Sequence, residues 1–198
     1  IISFSTDENS KEDFGPHTPG FKAVKYGCSK SIETAINENT AAVLIEPIQG
    51  EGGIIVPPEN YLREVREICT KNNVLMLLDE IQSGLGRTGK LFAYQHSCGD
   101  CNCNIGCEED QTKESMPDGL ILGKALGGGF MPVSCFLTSK EVMQWMDPGS
   151  HGSTFGGNPL AAALAKRSLE LLDEENLIEN SRIMGCLLYT SPSPRDVR

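Results

Sequence analysis

"AAVLIEPIQGEGGIIVPPENYLREVREICTKNNVLMLLDE", residues Ala41 to Glu80, is the stretch on which the fold turns. Its two ends, "AAVLIEP" and "NVLMLLDE", are short unbroken apolar runs, the pattern of strands covered on both faces. Between them "PENYLREVREICTKNN" opens on a proline and spaces Tyr61, Leu62, Val65, Ile68 and Cys69 along one side of a helix, with charges on the other. Strand, helix and strand in that order predict a right-handed crossover between parallel strands. Farther along, "GLILG" from Gly119 and "PVSCFLTS" from Pro132 read as two more strands. "NPLAAALAKRSLELLDEEN" from Asn158 reads as a long helix with Leu160, Leu164 and Leu171 on a common stripe. The expectation is an α/β domain, a mostly parallel sheet flanked by helices.

Length, charge and cysteines narrow what such a domain can do. A chain of 198 residues could form one core or belong to a larger protein. It starts with Ile rather than Met and shows no signal or transit segment at its start, so any targeting element is expected upstream and secretion is not expected. Apolar stretches such as "VLMLL" are far too short to span a bilayer. A net charge of −10 argues against nucleic acid as the main partner and leaves small substrates and other proteins. Four of the eight cysteines follow no pattern, and "HSCGDCNCNIGC" gathers the other four, Cys98, Cys101, Cys103 and Cys107, with His96. The two-residue gap between Cys98 and Cys101 suits zinc; the second such pair of a zinc knuckle is missing, and a solvated surface insertion is the competing reading.

An α/β sheet of this kind offers its ligands the carboxyl ends of its strands. Glu46 ends the first run, Asp79 and Glu80 the second, and Lys124 follows the third in "PDGLILGKALGGGF", so acids and a base are expected on one edge. Singly, Asp79 could cap a turn, Glu46 could pair with a surface arginine, and Lys124 could snorkel out of its apolar run. Together they suggest chemistry. A lysine amine in a desolvated pocket has a lowered pKa and can form a Schiff base with a carbonyl. Gly127, Gly128 and Gly129 would let a flat ligand approach the chain. An aspartate at a neighbouring strand end could hold a proton on a pyridine nitrogen, the arrangement that makes pyridoxal phosphate an electron sink.

At this point longer motifs become recognisable. "LLDEIQSGLGRTGKLFAYQH", "GLILGKALGGGFMPVS" and "PGSHGSTFGGNPLAAALA", in that order, resemble the class III pyridoxal-phosphate aminotransferases. "FGPHTPGF", "EPIQGEGG" and "DEENLIEN" bring the resemblance nearest to the ornithine-specific members. It covers about Ser3 to Gly185, apart from the cysteine-rich insertion. The resemblance implies part of the large cofactor-binding domain of fold-type I enzymes, with pyridoxal 5'-phosphate as cofactor. It also implies transfer of the δ-amino group of L-ornithine to a 2-oxo acid, with 2-oxoglutarate expected, giving glutamate 5-semialdehyde and an amino acid. Lys124 matches the Schiff-base lysine, which also moves the substrate proton. Asp79 matches the partner of the pyridinium nitrogen, Gln82 the group that bonds the cofactor's phenolic oxygen, and Ser153 and Thr154 a segment reaching the phosphate held by the neighbouring subunit. A homodimer with shared sites follows, in the mitochondrial matrix or the cytoplasm. Glu51 matches the glutamate that holds an active-site arginine while ornithine binds and then releases it to the 2-oxo acid.

Departures from the family pattern bear on the same reading. Residues from about 95 to 116 form an insertion, and "CLLYTSPSPRDVR" after Gly185 has two Ser-Pro steps and no helical pattern, so residues 186–198 are expected to be an atypical, non-native tail. The phosphate-binding glycine loop, the aromatic stacked on the cofactor, the arginine for the substrate carboxylate and the arginine that Glu51 would hold are not found, which implies an internal fragment, inactive alone. Acetylornithine and 4-aminobutyrate aminotransferases share several of these motifs and stand as the alternatives for substrate. An inactive homologue, or a zinc-binding interaction module on the cysteine cluster, is the alternative of another class.

Overall fold

The computed structural model describes residues 2–97 and 115–190. Four strands form one sheet in sequential order: β1 (Ala42–Ile45), β2 (Leu75–Asp79), β3 (Gly119–Leu122) and β4 (Cys135–Thr138). β1, β2 and β3 run parallel, and β4 closes the far edge antiparallel. The helices are α1 (Ser29–Ala35), α2 (Tyr61–Lys71), α3 (Lys140–Met143), α4 (Pro159–Glu174) and α5 (Leu177–Thr190). The cysteine cluster Cys98, Cys101, Cys103 and Cys107 lies outside the described residues. Among the described residues no helix is long and apolar enough to cross a membrane, and no group of three or more His, Cys, Asp and Glu side chains could hold a metal ion.

The crossover from β1 to β2 follows the sequence pattern closely. α2 buries Tyr61, Leu62, Val65 and Cys69, the spacing expected of one helical face, and Lys71 in its last turn suits the negative end of the helix dipole. Asn73 then takes a left-handed conformation (φ 53°), which turns the chain so that the Val74 N–H bonds back to the Cys69 carbonyl at 2.9 Å. These side chains pack with Ile32, Ile45, Val74, Met76, Leu78 and Tyr94 into the main core. Because side chains alternate along a strand, Met76, Leu78 and Glu80 share the core face, while Leu75, Leu77 and Asp79 share the other.

That other face departs from the expectation of strands covered on both sides. Leu44 in β1 is 41% exposed and Phe136 in β4 is 37% exposed. An apolar run sets only that a strand is hydrophobic on both faces; what packs there is decided by elements elsewhere in a chain. Gly119 lies on this face between Leu77 and Phe136, where a Cβ would come within 2.8 Å and 2.6 Å of their side chains.

A second, smaller core of Leu85, Leu122 and Leu126 is capped by α4. The Asn158 side chain accepts the Ala161 N–H at 2.9 Å and Pro159 starts the helix, the arrangement that best satisfies a helix N-terminus. The buried side of α4 is not the leucine stripe expected: Leu160 is 61% exposed, and Ala161, Ala165 and Leu172 face the core. The reason is the glycine turn after β3. It approaches α4 so closely that a Cβ on Gly128 would lie 2.7 Å from Ser168 Oγ, so the helix presents small residues there. α5 also runs on past Gly185, where no helical pattern was expected, to Thr190.

Candidate active site

Since β1, β2 and β3 are parallel, Glu46, Asp79 and Lys124 all stand at the carboxyl edge of the sheet. Asp79 pairs with Ile121 across the β2–β3 ladder, three residues before Lys124. The two exit turns touch: Gly123 presses so near Ile81 that a Cβ there would sit 3.3 Å from Ile81 Cγ2. Asp79 Oδ1 accepts the Ile81 N–H at 3.0 Å, which fixes the carboxylate on the face away from the main core. Its Oδ2 has no hydrogen-bond partner among the described residues and stays open to a ligand N–H.

Lys124 opens a short turn, Lys124–Gly127, with φ at 44°. A side chain with a Cβ pays about 1 kcal/mol or more for this left-handed backbone, a cost found where a site demands a particular display. The turn is tied down by the bond from the Leu126 N–H to the Gly123 carbonyl at 3.0 Å and from the Gly128 N–H to the Ala125 carbonyl at 2.9 Å. Contrary to the expected desolvated pocket, Lys124 is exposed. Leu122 and Gly123 are buried just before it, and the left-handed turn then carries the amine out of the apolar layer; among the described residues nothing covers it.

The neighbouring residue of Asp79 has a different task. Glu80 is fully buried, and strand alternation turns it to the core face. Its Oε2 accepts from Ser83 Oγ at 2.7 Å and from the Ala93 N–H at 3.0 Å, and its Oε1 accepts the Tyr94 N–H at 2.9 Å. Burial pushes this carboxyl above its usual range and the charge of Asp79 adds to the rise, while the three hydrogen bonds oppose it. Glu80 therefore anchors the loop from Ser83 to Tyr94 and does not join the edge as an acid.

A second group of predicted residues assembles where β1 ends. Glu46 Oε2 accepts the Gly50 N–H at 3.0 Å, and the Tyr26 hydroxyl donates toward the carbonyls of Glu46 and Pro47, each at 3.0 Å. Gln82 Nε2 donates to Glu51 Oε1 at 3.0 Å. The oxygen end of its amide presses on Gly50, where a Cβ would fall 1.5 Å from Gln82 Oε1. Glu46, Gln82 and Glu51 are thus brought together. Ser153 and Thr154 are not: both are exposed, the Ser153 hydroxyl accepts the Gly156 N–H at 2.9 Å, and neither bonds Lys124, Asp79, Gln82 or Glu51.

Sequence reasoning missed Gly50, Tyr26 and the separate work of Glu80. Only the last had a signal, because adjacent residues in a strand face opposite ways and one of "DE" had to turn inward.

The chain is similar to known proteins over most of its length. Residues 1–193 match the model of the family described as aminotransferase class-III. An ornithine aminotransferase from Exiguobacterium sp. is 49% identical over 203 residues, covering 100% of this chain and 47% of that protein. The crystal structure of the ornithine aminotransferase from Toxoplasma gondii ME49 superposes with a TM-score of 0.82 at 42% identity, over 93% of this chain and 40% of that one. An acetylornithine aminotransferase from Elizabethkingia anophelis superposes with a TM-score of 0.74 at 43% identity, over 86% and 41%. The chain spans about half the length of the curated relatives it matches.

Proposed function

The chain belongs to the class-III aminotransferase family, and from that membership we propose that it forms part of an ornithine aminotransferase using pyridoxal 5'-phosphate. Residues 1–185 are read as part of its large cofactor-binding domain and 186–198 as an atypical tail. The overall reaction moves the δ-amino group of L-ornithine to a 2-oxo acid, with 2-oxoglutarate favoured, and yields glutamate 5-semialdehyde. The observation that carries the reading is the pairing of edge groups. An exposed lysine follows β3, and a carboxylate with one open oxygen ends the adjoining β2. Such a pair fits a cofactor carrying an aldehyde at one end and a basic ring nitrogen at the other. The bound cofactor supplies an electron sink for the bond broken at the amine-bearing carbon.

The residues of this chain have separable tasks. Lys124 would hold the cofactor through its aldehyde carbon, and its amine Nζ is placed to carry a proton from the δ-carbon of the substrate to the cofactor. Asp79 Oδ2 accepts the ring N–H and keeps that nitrogen protonated, while Oδ1 stays locked by Ile81. Gln82 donates to the ring oxygen. Ser153 and Thr154 offer hydroxyl donors to the phosphate of a partner subunit, in keeping with a homodimer. Glu51 sits in a turn whose Gly53 has φ 116°, and that turn gives it room to move between partners as the two substrates alternate. The cytoplasm or the mitochondrial matrix is the compartment that the family resemblance implies.

Borohydride trapping of the full-length protein with pyridoxal phosphate tests the cofactor claim. Reduction is expected to fix the label on the peptide bearing Lys124 and to leave Lys124→Ala unlabelled; scattered or absent label would sink it. The likeness to the Elizabethkingia protein favours N-acetylornithine as the second reading for the donor. Comparing kcat/KM for ornithine, N-acetylornithine and 4-aminobutyrate decides between them, and a ratio below one for ornithine over the acetylated donor would reject the first choice.

A further inference from the structure

We infer that Gly50, Glu51 and Gln82 act as one positioning unit, in which the bare Cα of Gly50 seats the Gln82 amide and Glu51 fixes which way that amide faces. The inference deepens the proposed function and rests on it for the identity of the group that Gln82 meets. Two observations carry it independently. Gly50 is not in the left-handed region, so its backbone would accept alanine; what excludes a side chain is Gln82, whose Oε1, Cδ and Nε2 would lie 1.5, 2.4 and 3.2 Å from a Cβ. The glycine is therefore required by a neighbouring side chain rather than by its own conformation. The second observation is the bond from Gln82 Nε2 to Glu51 Oε1 at 3.0 Å.

Chemistry sets the direction of that bond. An ionised carboxylate only accepts, so Glu51 can hold the Nε2 end of the amide and not the oxygen end. Nε2 has two N–H groups; Glu51 takes one and leaves the second for a ligand oxygen. Without Glu51 the amide could rotate and offer Oε1, which would repel an oxygen. Glu46 completes the support by accepting the Gly50 N–H at 3.0 Å, which holds the glycine against the amide. The consequence is mechanical coupling: when Glu51 leaves Gln82 for another partner, the donor that faces the cofactor loses its anchor. Substrate-side and cofactor-side events are linked through one hydrogen bond.

The test uses the full-length protein. Gln82→Ala, Gly50→Ala and Glu51→Ala are each expected to weaken pyridoxal phosphate binding, titrated into apo-protein by visible absorbance, by about 2- to 13-fold, the range for one hydrogen bond. All three are expected to move the pH midpoint of the bound cofactor's visible band in the same direction. The double variant Gly50→Ala/Gln82→Ala is expected to bind no more weakly than Gln82→Ala alone, because Gly50 acts only through Gln82. Glu51→Gln is expected to restore binding, since its amide oxygen accepts the same N–H. A crystal structure of unliganded Gly50→Ala reads the same point without cofactor, with the Gln82 amide displaced from Glu51.

Wild-type binding in Gly50→Ala, or a double variant whose loss is the product of the two singles, would overturn the unit. Should Gly50→Ala fold poorly, the contrast between Glu51→Ala and Glu51→Gln decides alone, and equal losses in both reject it. If wild-type protein takes no borohydride label on Lys124 while the unliganded Gly50→Ala structure still displaces Gln82, the cofactor reading has failed and the positioning unit has not. An undisplaced amide rejects the unit whatever the label shows.

Discussion

Replacing Glu80 by alanine should loosen the loop that frames the site without touching the site itself. The magnitude follows from the groups it would strand. Glu80 accepts two backbone N–H groups, from Ala93 at 3.0 Å and Tyr94 at 2.9 Å, and the Ser83 hydroxyl at 2.7 Å, and it is fully buried. A buried donor left without its acceptor costs about 1–3 kcal/mol, so the two N–H groups together cost about 2–6 kcal/mol. The Ser83 hydroxyl can rotate to another acceptor and adds little. Hydrogen exchange measured by mass spectrometry on the full-length protein reads this locally. A loss of about 2 kcal/mol in opening free energy speeds exchange of the segment containing Ala93 and Tyr94 by about 30-fold or more. Glu80→Gln keeps one acceptor and should fall between wild type and alanine. Unchanged protection at Ala93 and Tyr94 in Glu80→Ala would refute the reasoning. The same carboxyl predicts a pH trend. Its folded pKa is raised, first by burial, so its contribution to stability is fully present below the ordinary carboxylate value and is lost as pH rises through the folded one. The protection that wild type holds over Glu80→Gln should therefore be greatest in acid and shrink toward neutral pH; a gap that widens with pH would contradict the burial.

Other consequences can be checked more briefly. Gly119→Ala puts a Cβ within 2.6 Å of Phe136 and 2.8 Å of Leu77 in the middle of the sheet, so overpacking of about 1–3 kcal/mol is expected, read as a lower midpoint of thermal unfolding. An unchanged midpoint would mean the two side chains swing away freely. Cys69 is fully buried in the main core, and burial pushes its thiol up to about 11, so iodoacetamide should alkylate exposed Cys186 well before it. Early labelling of Cys69 by peptide mapping would show that α2 opens readily. Asp118→Asn leaves Met76 its N–H acceptor but removes the ion pair with Arg66 at 2.6 Å, and a destabilisation of about 1 kcal/mol is expected from urea unfolding.

How far the sequence could be read follows from which constraints are local. The strand–helix–strand unit was legible because the 3.6-residue spacing of Tyr61, Leu62, Val65 and Cys69 depends only on the helix that carries them. The buried side of α4 was not, because what selects Ala161 and Ala165 over Leu160 is the closeness of a glycine turn more than thirty residues earlier in the chain. The surroundings of Lys124 failed for a similar reason. Its apolar run marks a buried strand through Leu122, and the left-handed turn after it, which no pattern of hydrophobicity encodes, carries the amine out.

The edge nevertheless has an internal logic that needs only strand geometry. In β2 the pleat sends Asp79 to one face and Glu80 to the other, so two adjacent carboxylates meet opposite surroundings. Glu80 meets donors fixed by the loop it anchors, and its charge is disfavoured by burial. Asp79 keeps one oxygen tied to Ile81 and the other open, as a group must that is to face a ligand. A one-residue slip of β2 against β1 would exchange them, placing an unpartnered carboxylate in the core and the anchor in solvent. The Met76 and Leu78 contacts of the core face therefore specify the site as well as the fold, since the register that buries them is the register that displays Asp79.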